Sequence, residues 1–332
     1  MNKNSLLCLG IESTAHTFSI AILTEDKILS NEKEVYVPPP GEGIHPYEAA
    51  QHHLRRAKKV LDMTLTKSGI GIRDVDVIAF SAGPGLGPCL KVGAVVARAL
   101  AAYYNKPLAA VNHAIGHIEL ANFFAKTLDP VVVLVSGGHT LVSSYLMKRW
   151  RIFGETLDIT LGQLFDQLGR ELGFGSPAGK YIEELASKGR RYIEMPYSVK
   201  GNNVSFSGLL TYAKNLIKKG YSKEDVCYSV QETAFAMLTE VTERLLAFSE
   251  KKEVILTGGV AANVRLQEMI KSLCKVHNAT FHVIPREYSG DCGAQIALVG
   301  LLQYKSNNII DVEESFVKQS WRIDEVDITW RD

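Results

Sequence analysis

The chain has five cysteines, Cys8, Cys89, Cys227, Cys274 and Cys292, and no CxxC pair among its 332 residues. An odd number at wide spacing excludes a disulfide framework and a structural zinc finger, and suits a reducing compartment. No run of eighteen uncharged apolar residues occurs, so neither a spanning helix nor a membrane partner is expected. The apolar piece from Leu6 to Ile11 is interrupted by polar residues too soon for a secretory signal, which makes the cytoplasm the expected location. Excess charge is lacking too. Lys and Arg number 37 against 36 Asp and Glu, a net +1, so no global field drives the chain onto nucleic acid or membrane. There is no Walker loop, no GxGxxG fingerprint and no HExxH metalloprotease motif.

What is present reads as an ordinary globular α/β protein of about two domains. Leu6–Glu12, Phe18–Leu23 and Lys27–Glu34 have the apolar, β-branched character of strands, with a turn over Ser13–Thr17. Pro46 opens a helix to about Lys67, and Val75–Ser81 is a further strand. A sharp turn over Gly83–Pro88 precedes a helix expected over Val92–Tyr104, followed by a short strand at Leu108–Val111. The pattern then restarts. Strand Val131–Val135 turns through Ser136–Thr140 into Leu141–Leu146, and a long helix covers Glu224–Lys251. Strand Val254–Leu256 runs into Gly258–Asn263, and Ser289–Gly293 precedes an apolar helix to about Tyr304. Leu9-Gly10-Ile11-Glu12 leading to His16-Thr17 is faintly repeated by Leu134–Gly138 leading to His139-Thr140, which suggests two similar α/β domains across a cleft.

Three features carry chemistry. A strand that runs into a glycine turn exposes backbone N–H groups to phosphate oxygens, and the chain does this at Ser136-Gly137-Gly138 and at Gly258-Gly259. One such turn is only a tight turn. Two of them, with Ser136, Thr140 and Asn263 as side-chain partners, point to a nucleotide bound by neither P-loop nor Rossmann chemistry. Second, His113 and His117 are four apart on a helix and point to one side, close enough to share a metal ion. A zinc protease would need Glu directly after the first His, and the chain has Ala114 there, with Glu119 on a different part of the helix. Third, Asp291 precedes a helix, where it serves equally as an N-cap or as a third ligand for iron or zinc.

Gly10-Ile11-Glu12-Ser13-Thr14, Gly43-Ile44-His45-Pro46, Gly83-Pro84-Gly85-Leu86-Gly87, the histidine pair, Val135–Thr140, Ser205–Leu209, Gly258–Asn263 and Asp291 occur in order along nearly the whole chain. Together they resemble the tRNA threonylcarbamoyladenosine synthase family, in its archaeal-like form as a KEOPS complex subunit. The resemblance implies a two-domain actin/Hsp70/sugar-kinase-like (ASKHA) fold, with ribonuclease-H-like domains flanking a nucleotide cleft. Residues 1–125 with 293–332 would form one domain and 126–292 the other.

The implied activity is transfer of threonylcarbamoyl from threonylcarbamoyl-AMP to N6 of the adenosine 3′ of the anticodon, in tRNAs reading ANN codons. By position, His113, His117 and Asp291 would hold one divalent metal, iron(II) with zinc as the alternative. Ser136, Gly137, Gly138, His139, Thr140, Asp166, Gly179, Glu183 and Asn263 would bind the adenylate. Some archaeal relatives have a metal-binding Tyr where this chain has Leu134, so a fourth protein ligand is not expected. Leu210 replaces a Lys of bacterial relatives and is given no role.

The implied partners are tRNA, threonylcarbamoyl-AMP (or ATP or AMP) and KEOPS subunits, including a small atypical protein kinase. With so few spare cations, the chain is expected to share tRNA binding with them, contributing Arg190-Arg191 and Lys214–Lys219. Because a carbamoyl–phosphate anhydride is already activated, the reaction needs orientation, charge stabilisation and a proton acceptor, for which Glu12 is the candidate. The rival readings are an ATP-binding chaperone-like or actin-like switch and a metalloprotease.

Overall fold

The structure, a computed structural model, describes residues 5–331; the outermost ends of the first-domain assignment, 1–4 and 332, lie outside it. Two five-stranded sheets organise the chain. The first half runs β1 (Cys8–Glu12), β2 (Thr17–Leu23), β3 (Ile28–Val35), α1 (Pro46–Ser68), β4 (Val77–Gly83), α2 (Gly87–Tyr104), β5 (Leu108–Asn112) and α3 (His113–Ala125). Its sheet has the order β3-β2-β1-β4-β5, with β1, β4 and β5 parallel and β2 antiparallel to both neighbours.

The second half runs β6 (Val131–Val135), β7 (Thr140–Leu146), β8 (Arg149–Glu155), α4 (Leu161–Glu171), α5 (Gly179–Ala186), β9 (Val199–Lys200), β10 (Asn203–Val204), α6 (Ser207–Lys218), α7 (Lys223–Ser249), β11 (Glu253–Thr257), α8 (Val264–Val276), β12 (Thr280–Val283) and α9 (Gly293–Lys305). Its sheet, β12-β11-β6-β7-β8, repeats the arrangement, with β6 beside β11 in parallel and β7 and β8 antiparallel. β9 and β10 form a separate small hairpin.

Local signals account for most element ends. Pro46 occupies the first turn of α1, and Gly69 closes it in the left-handed region at φ 67°. Thr160 and Gln163 form a reciprocal capping box on α4, and Ser222 caps α7. The helix expected from Val92 begins at Gly87 instead. Gly87 and Pro88 read as turn residues, yet a proline is tolerated at a helix start because its missing N–H would have no partner there.

β6 alternates between two cores. Val131, Val133 and Val135 pack with α7, whereas Val132 and Leu134 face the other way. That second side is a continuous inner core in which Val132, Leu134 and Ile255 of the second sheet meet Ala114 and Ile118 of α3 and Ala294 and Ile296 of α9. α9 lies directly on the first sheet because Gly10 and Gly293 allow backbone to touch backbone; a Cβ at either would collide with the facing main chain. The segment after α9 ties the two sheets together. Lys318 donates its N–H to Ala82, Asn112 reaches the Trp321 carbonyl, and Arg322 and Arg149 pair with Glu155 and Asp327 around β8.

Candidate metal centre and nucleotide cleft

β5 ends at Asn112, whose side chain accepts the N–H groups of Ala114 and Ile115 at 3.0 and 3.2 Å and so starts α3 at His113. One turn later stands His117, and the two rings lie 4.7 Å apart, edge to face. Asp291 comes from the loop before α9. It does not cap that helix, where Cys292 occupies the N-cap, but points Oδ1 at His117 Nε2 (3.3 Å) and His113 Nε2 (3.6 Å). The ligating atoms of the three residues all lie within 4.8 Å of one another.

This donor set fits a metal ion. Two imidazole nitrogens converge on one carboxylate oxygen, and the arrangement calls for positive charge between them. Burial works against a charge on His113, but Glu12 and Asp291 outweigh it and push the imidazole up to about 9. Burial likewise opposes the Asp291 carboxylate, and the two histidines outweigh it, holding Asp291 well below the usual carboxylate range. His117, by contrast, is lowered by burial, and its buried Nδ1 has no hydrogen-bond partner among the described residues. His139 stacks 6.2 Å from His113 and is pushed down to about 3, by burial and then by His113 and His117.

Glu12 is fully buried beneath this centre. Its Oε2 lies 2.8 Å from His113 Nδ1, and Oε1 accepts the Thr14 N–H at 2.6 Å and the Thr14 hydroxyl. Both oxygens are therefore engaged, and burial closes Glu12 to substrate. It orients His113 so that Nε2 faces Asp291. Gln295, 3.0 Å from His113 Nδ1, belongs to the same shell. No spacing signal points to it, since α9 reaches α3 only through the tertiary fold. Leu134 is buried in the inner core and offers no donor atom. Glu119 is occupied by Trp150 at 3.1 Å and Arg331 at 2.9 Å, so it cannot activate a metal-bound water and the protease reading loses its base.

The glycine turns follow β6 and β11, which are adjacent and parallel, so both open at the same sheet end. Gly258 sits at φ 97°, and a Cβ there would collide with the Val135 carbonyl, which forces the two turns together. Around Gly137, Gly138, Gly179 and Gly259, in contrast, a Cβ would meet nothing within 4 Å. Their backbone faces open space.

The polar residues of this region brace it. Ser136 Oγ accepts from Gly138 and His139 N–H, and Thr140 Oγ1 accepts from Leu161 N–H. Asp166, raised by burial, accepts the Ala178 N–H at 2.7 Å. Glu183 accepts the Val264 N–H at 2.8 Å, and Asn263 caps α8 while donating to Gln231. The expected adenylate residues thus form one region in two kinds: open glycine backbone, and side chains that hold the starts of α4, α5 and α8 around it.

A family model described as TsaD: tRNA N6-adenosine threonylcarbamoyltransferase matches residues 27–298. Among curated relatives with that same name, one from Thermococcus gammatolerans is 51% identical over 326 residues, covering 98% of this chain and 100% of its own. One from Caldivirga maquilingensis is 49% identical over 325 residues, covering 98% of each. Among solved structures, HypF from T. kodakarensis superposes with a TM-score of 0.65 at 15% identity, over 91% of this chain and 48% of that one. The activator of 2-hydroxyisocaproyl-CoA dehydratase from Clostridium difficile, with bound ADPNP, gives 0.53 at 12% identity, over 91% and 96%. The two structures share the ASKHA-like α/β fold expected from sequence.

Proposed function

The chain belongs to the tRNA N6-adenosine threonylcarbamoyltransferase (TsaD) family, and from that membership we propose how its cleft performs the family's transfer. It is an enzyme that moves a threonylcarbamoyl group onto N6 of an adenosine in tRNA, and in our reading that adenosine is the one 3′ of the anticodon where codons begin with A. The observation that supports our reading of the site is the convergence of His113, His117 and Asp291 beside two open glycine turns.

The donor in this reading is threonylcarbamoyl-AMP. The adenosine amine attacks the carbamoyl carbon, the bond from that carbon to the phosphate oxygen breaks, AMP departs, and the amine gives up a proton. The open backbone at Gly137, Gly179 and Gly259 lets the adenylate approach closely, while Gly138 and His139 N–H groups are already given to Ser136. Asp166, Glu183 and Asn263 act by fixing the helix starts that shape the pocket, and Thr140 by holding α4 to the same turn. His113, His117 and Asp291 would hold a divalent ion, iron(II) in preference to zinc, which would supply Lewis-acid charge to the transfer. Glu12 keeps His113 in the orientation that exposes Nε2, with Gln295 beside the same ring nitrogen.

In the same reading residues 1–125 with 293–332 form one lobe and 126–292 the other, the protein works in the cytoplasm, and KEOPS subunits including a small kinase accompany it on tRNA. The deciding experiment incubates the protein with threonylcarbamoyl-AMP and unmodified tRNA, with and without those subunits, and identifies the nucleoside by mass. A mass gain of one threonylcarbamoyl on adenosine is expected. Its absence in every combination would overturn the reading. A nucleotide switch without transfer has no use for the histidine centre, and stoichiometric metal in the purified protein would count against it.

A further inference from the structure

Charge is nearly balanced over the whole chain, so a corner where cations stand without partners is informative. Most of the basic run on α1 is ion-paired: Arg56 and Lys59 share Glu34, Lys58 pairs with Asp62 and Lys67 with Glu32, while Arg55 pairs with none of the described residues. A second basic region, at the far end of α5, is not. Lys188, Arg190 and Arg191 follow that helix, and their loop is pinned to the start of α7 by two N–H bonds, from Arg190 (2.9 Å) and Arg191 (3.1 Å), to Asp225. The end of α6 meets the same place, bringing Lys218 and Lys219 just ahead of the Ser222 cap and Lys223 just after it. All six cations are exposed, and among the described residues none forms an ion pair. Two acids also stand in the corner and keep their negative charge: Asp225 accepts those N–H groups with the charge of Arg191 beside it, and Glu224 accepts the Ser222 hydroxyl with Lys188 nearby, so six cations are opposed by two carboxylates.

Two partly exposed tyrosines stand beside these cations. Tyr192 is 51% exposed, its hydroxyl anchored on Thr233, and Tyr221 is 46% exposed between Lys219 and Lys223. Unpaired cations interleaved with exposed rings are what a polyphosphate strand with unstacked bases requires, the cations taking the phosphates and the rings the bases. The corner is also coupled to the cleft. α5 begins at Gly179, in the glycine-turn region, and its eight residues span about 12 Å before the cations begin.

We propose that this corner, Arg190, Arg191, Lys218, Lys219 and Lys223 with Tyr192 and Tyr221, is the surface on which the chain itself grips the anticodon arm of tRNA. This rests on the transferase reading above, and assigns to one lobe a share of the RNA grip that the net charge of +1 hides.

The test compares Arg190→Gln with Arg191→Gln in one full-length chain against Lys58→Gln with Lys59→Gln in another, which removes the same charge from α1. The Arg190 and Arg191 backbone N–H bonds to Asp225 survive these changes, and a thermal melt confirms the fold. Binding of unmodified tRNA by the chain alone is titrated at several salt concentrations. Each lost phosphate contact lowers the slope of log K against log salt by about 0.7–0.9, so the arginine variant should lose about 1.5 in slope and about tenfold in affinity near 0.15 M salt. KM for tRNA should rise while kcat and KM for the donor hold. Tyr221→Ala should weaken tRNA binding without changing the salt slope. An arginine variant with the same slope and affinity as wild type overturns the proposal. So does one that binds tRNA normally and fails only when partner subunits are added, because the corner is then a protein interface. Failure of wild type to transfer at all overturns the functional reading instead, and the binding slopes still decide the surface.

Discussion

Glu12 Oε2 lies 2.8 Å from His113 Nδ1, although the two residues are 101 positions apart in the chain. This carboxylate–imidazole pair fixes which nitrogen of His113 is left to face Asp291, and it makes that nitrogen a better donor. Glu12→Gln keeps the shape and removes the charge. Metal affinity should fall about 10–100-fold, with transfer activity falling alongside it, as is usual for the outer partner of a ligating histidine. Metal titration of the purified variant checks this, and an unchanged affinity would refute it.

His113→Ala removes one of three ligands outright. The protein should purify without stoichiometric metal and fail to modify tRNA. Elemental analysis and nucleoside mass spectrometry read the two outcomes separately. Full transfer by a rigorously metal-free His113→Ala protein would sink the metal assignment.

The two glycines of the second turn separate folding from function. Gly258→Ala must place a Cβ against the Val135 carbonyl at φ 97°, and should cost about 2 kcal/mol or more of stability. Gly259→Ala meets open space, so its melting temperature should be close to wild type while the KM for the donor rises. Equal melting temperatures for the two variants would contradict the assignment.

His53 on α1 is buried, and its Nε2–H donates to the Ala15 carbonyl at 2.9 Å, holding the turn that follows β1. Burial, with His52 and His16 adding to it against the pull of that carbonyl, lowers the imidazole to about 4. The folded state therefore resists a proton that the unfolded chain accepts at about 6.5. The sign follows: stability is unaffected above about 6.5 and is lost as pH falls from there toward 4, at up to about 1.4 kcal/mol per unit. Denaturant titrations between pH 7 and 5 should show this loss, and His53→Gln should flatten it. A slope the variant leaves unchanged would assign the loss to other groups.

The strands, the two glycine turns and the histidine pair were legible because each is a local pattern: β-branched runs, a turn residue at a strand end, two residues one helical turn apart. The reading of α2 failed only at its start, where Gly87 and Pro88 carry turn chemistry and helix-start chemistry at once. The stretch from β8 through α6 was hardly legible, since its helices are short and owe their ends to caps such as Thr160 and to tertiary anchors such as Asp158, which accepts the Phe206 and Ser207 N–H groups. In the site, the ligands could be named from spacing and resemblance. Their supports could not. Gln295 meets His113 from a different helix, and the engagement of Glu12 by His113 and Thr14 is a product of burial.

The inner core contains Leu134 and Ile255 from one sheet and Ala294 and Ile296 from the helix on the other, in a single packed mass. Close-packed interiors move between discrete packings rather than shearing gradually, so the two sheets keep one angle until this whole layer repacks. The mechanical consequence is a slot whose floor switches rather than flexes.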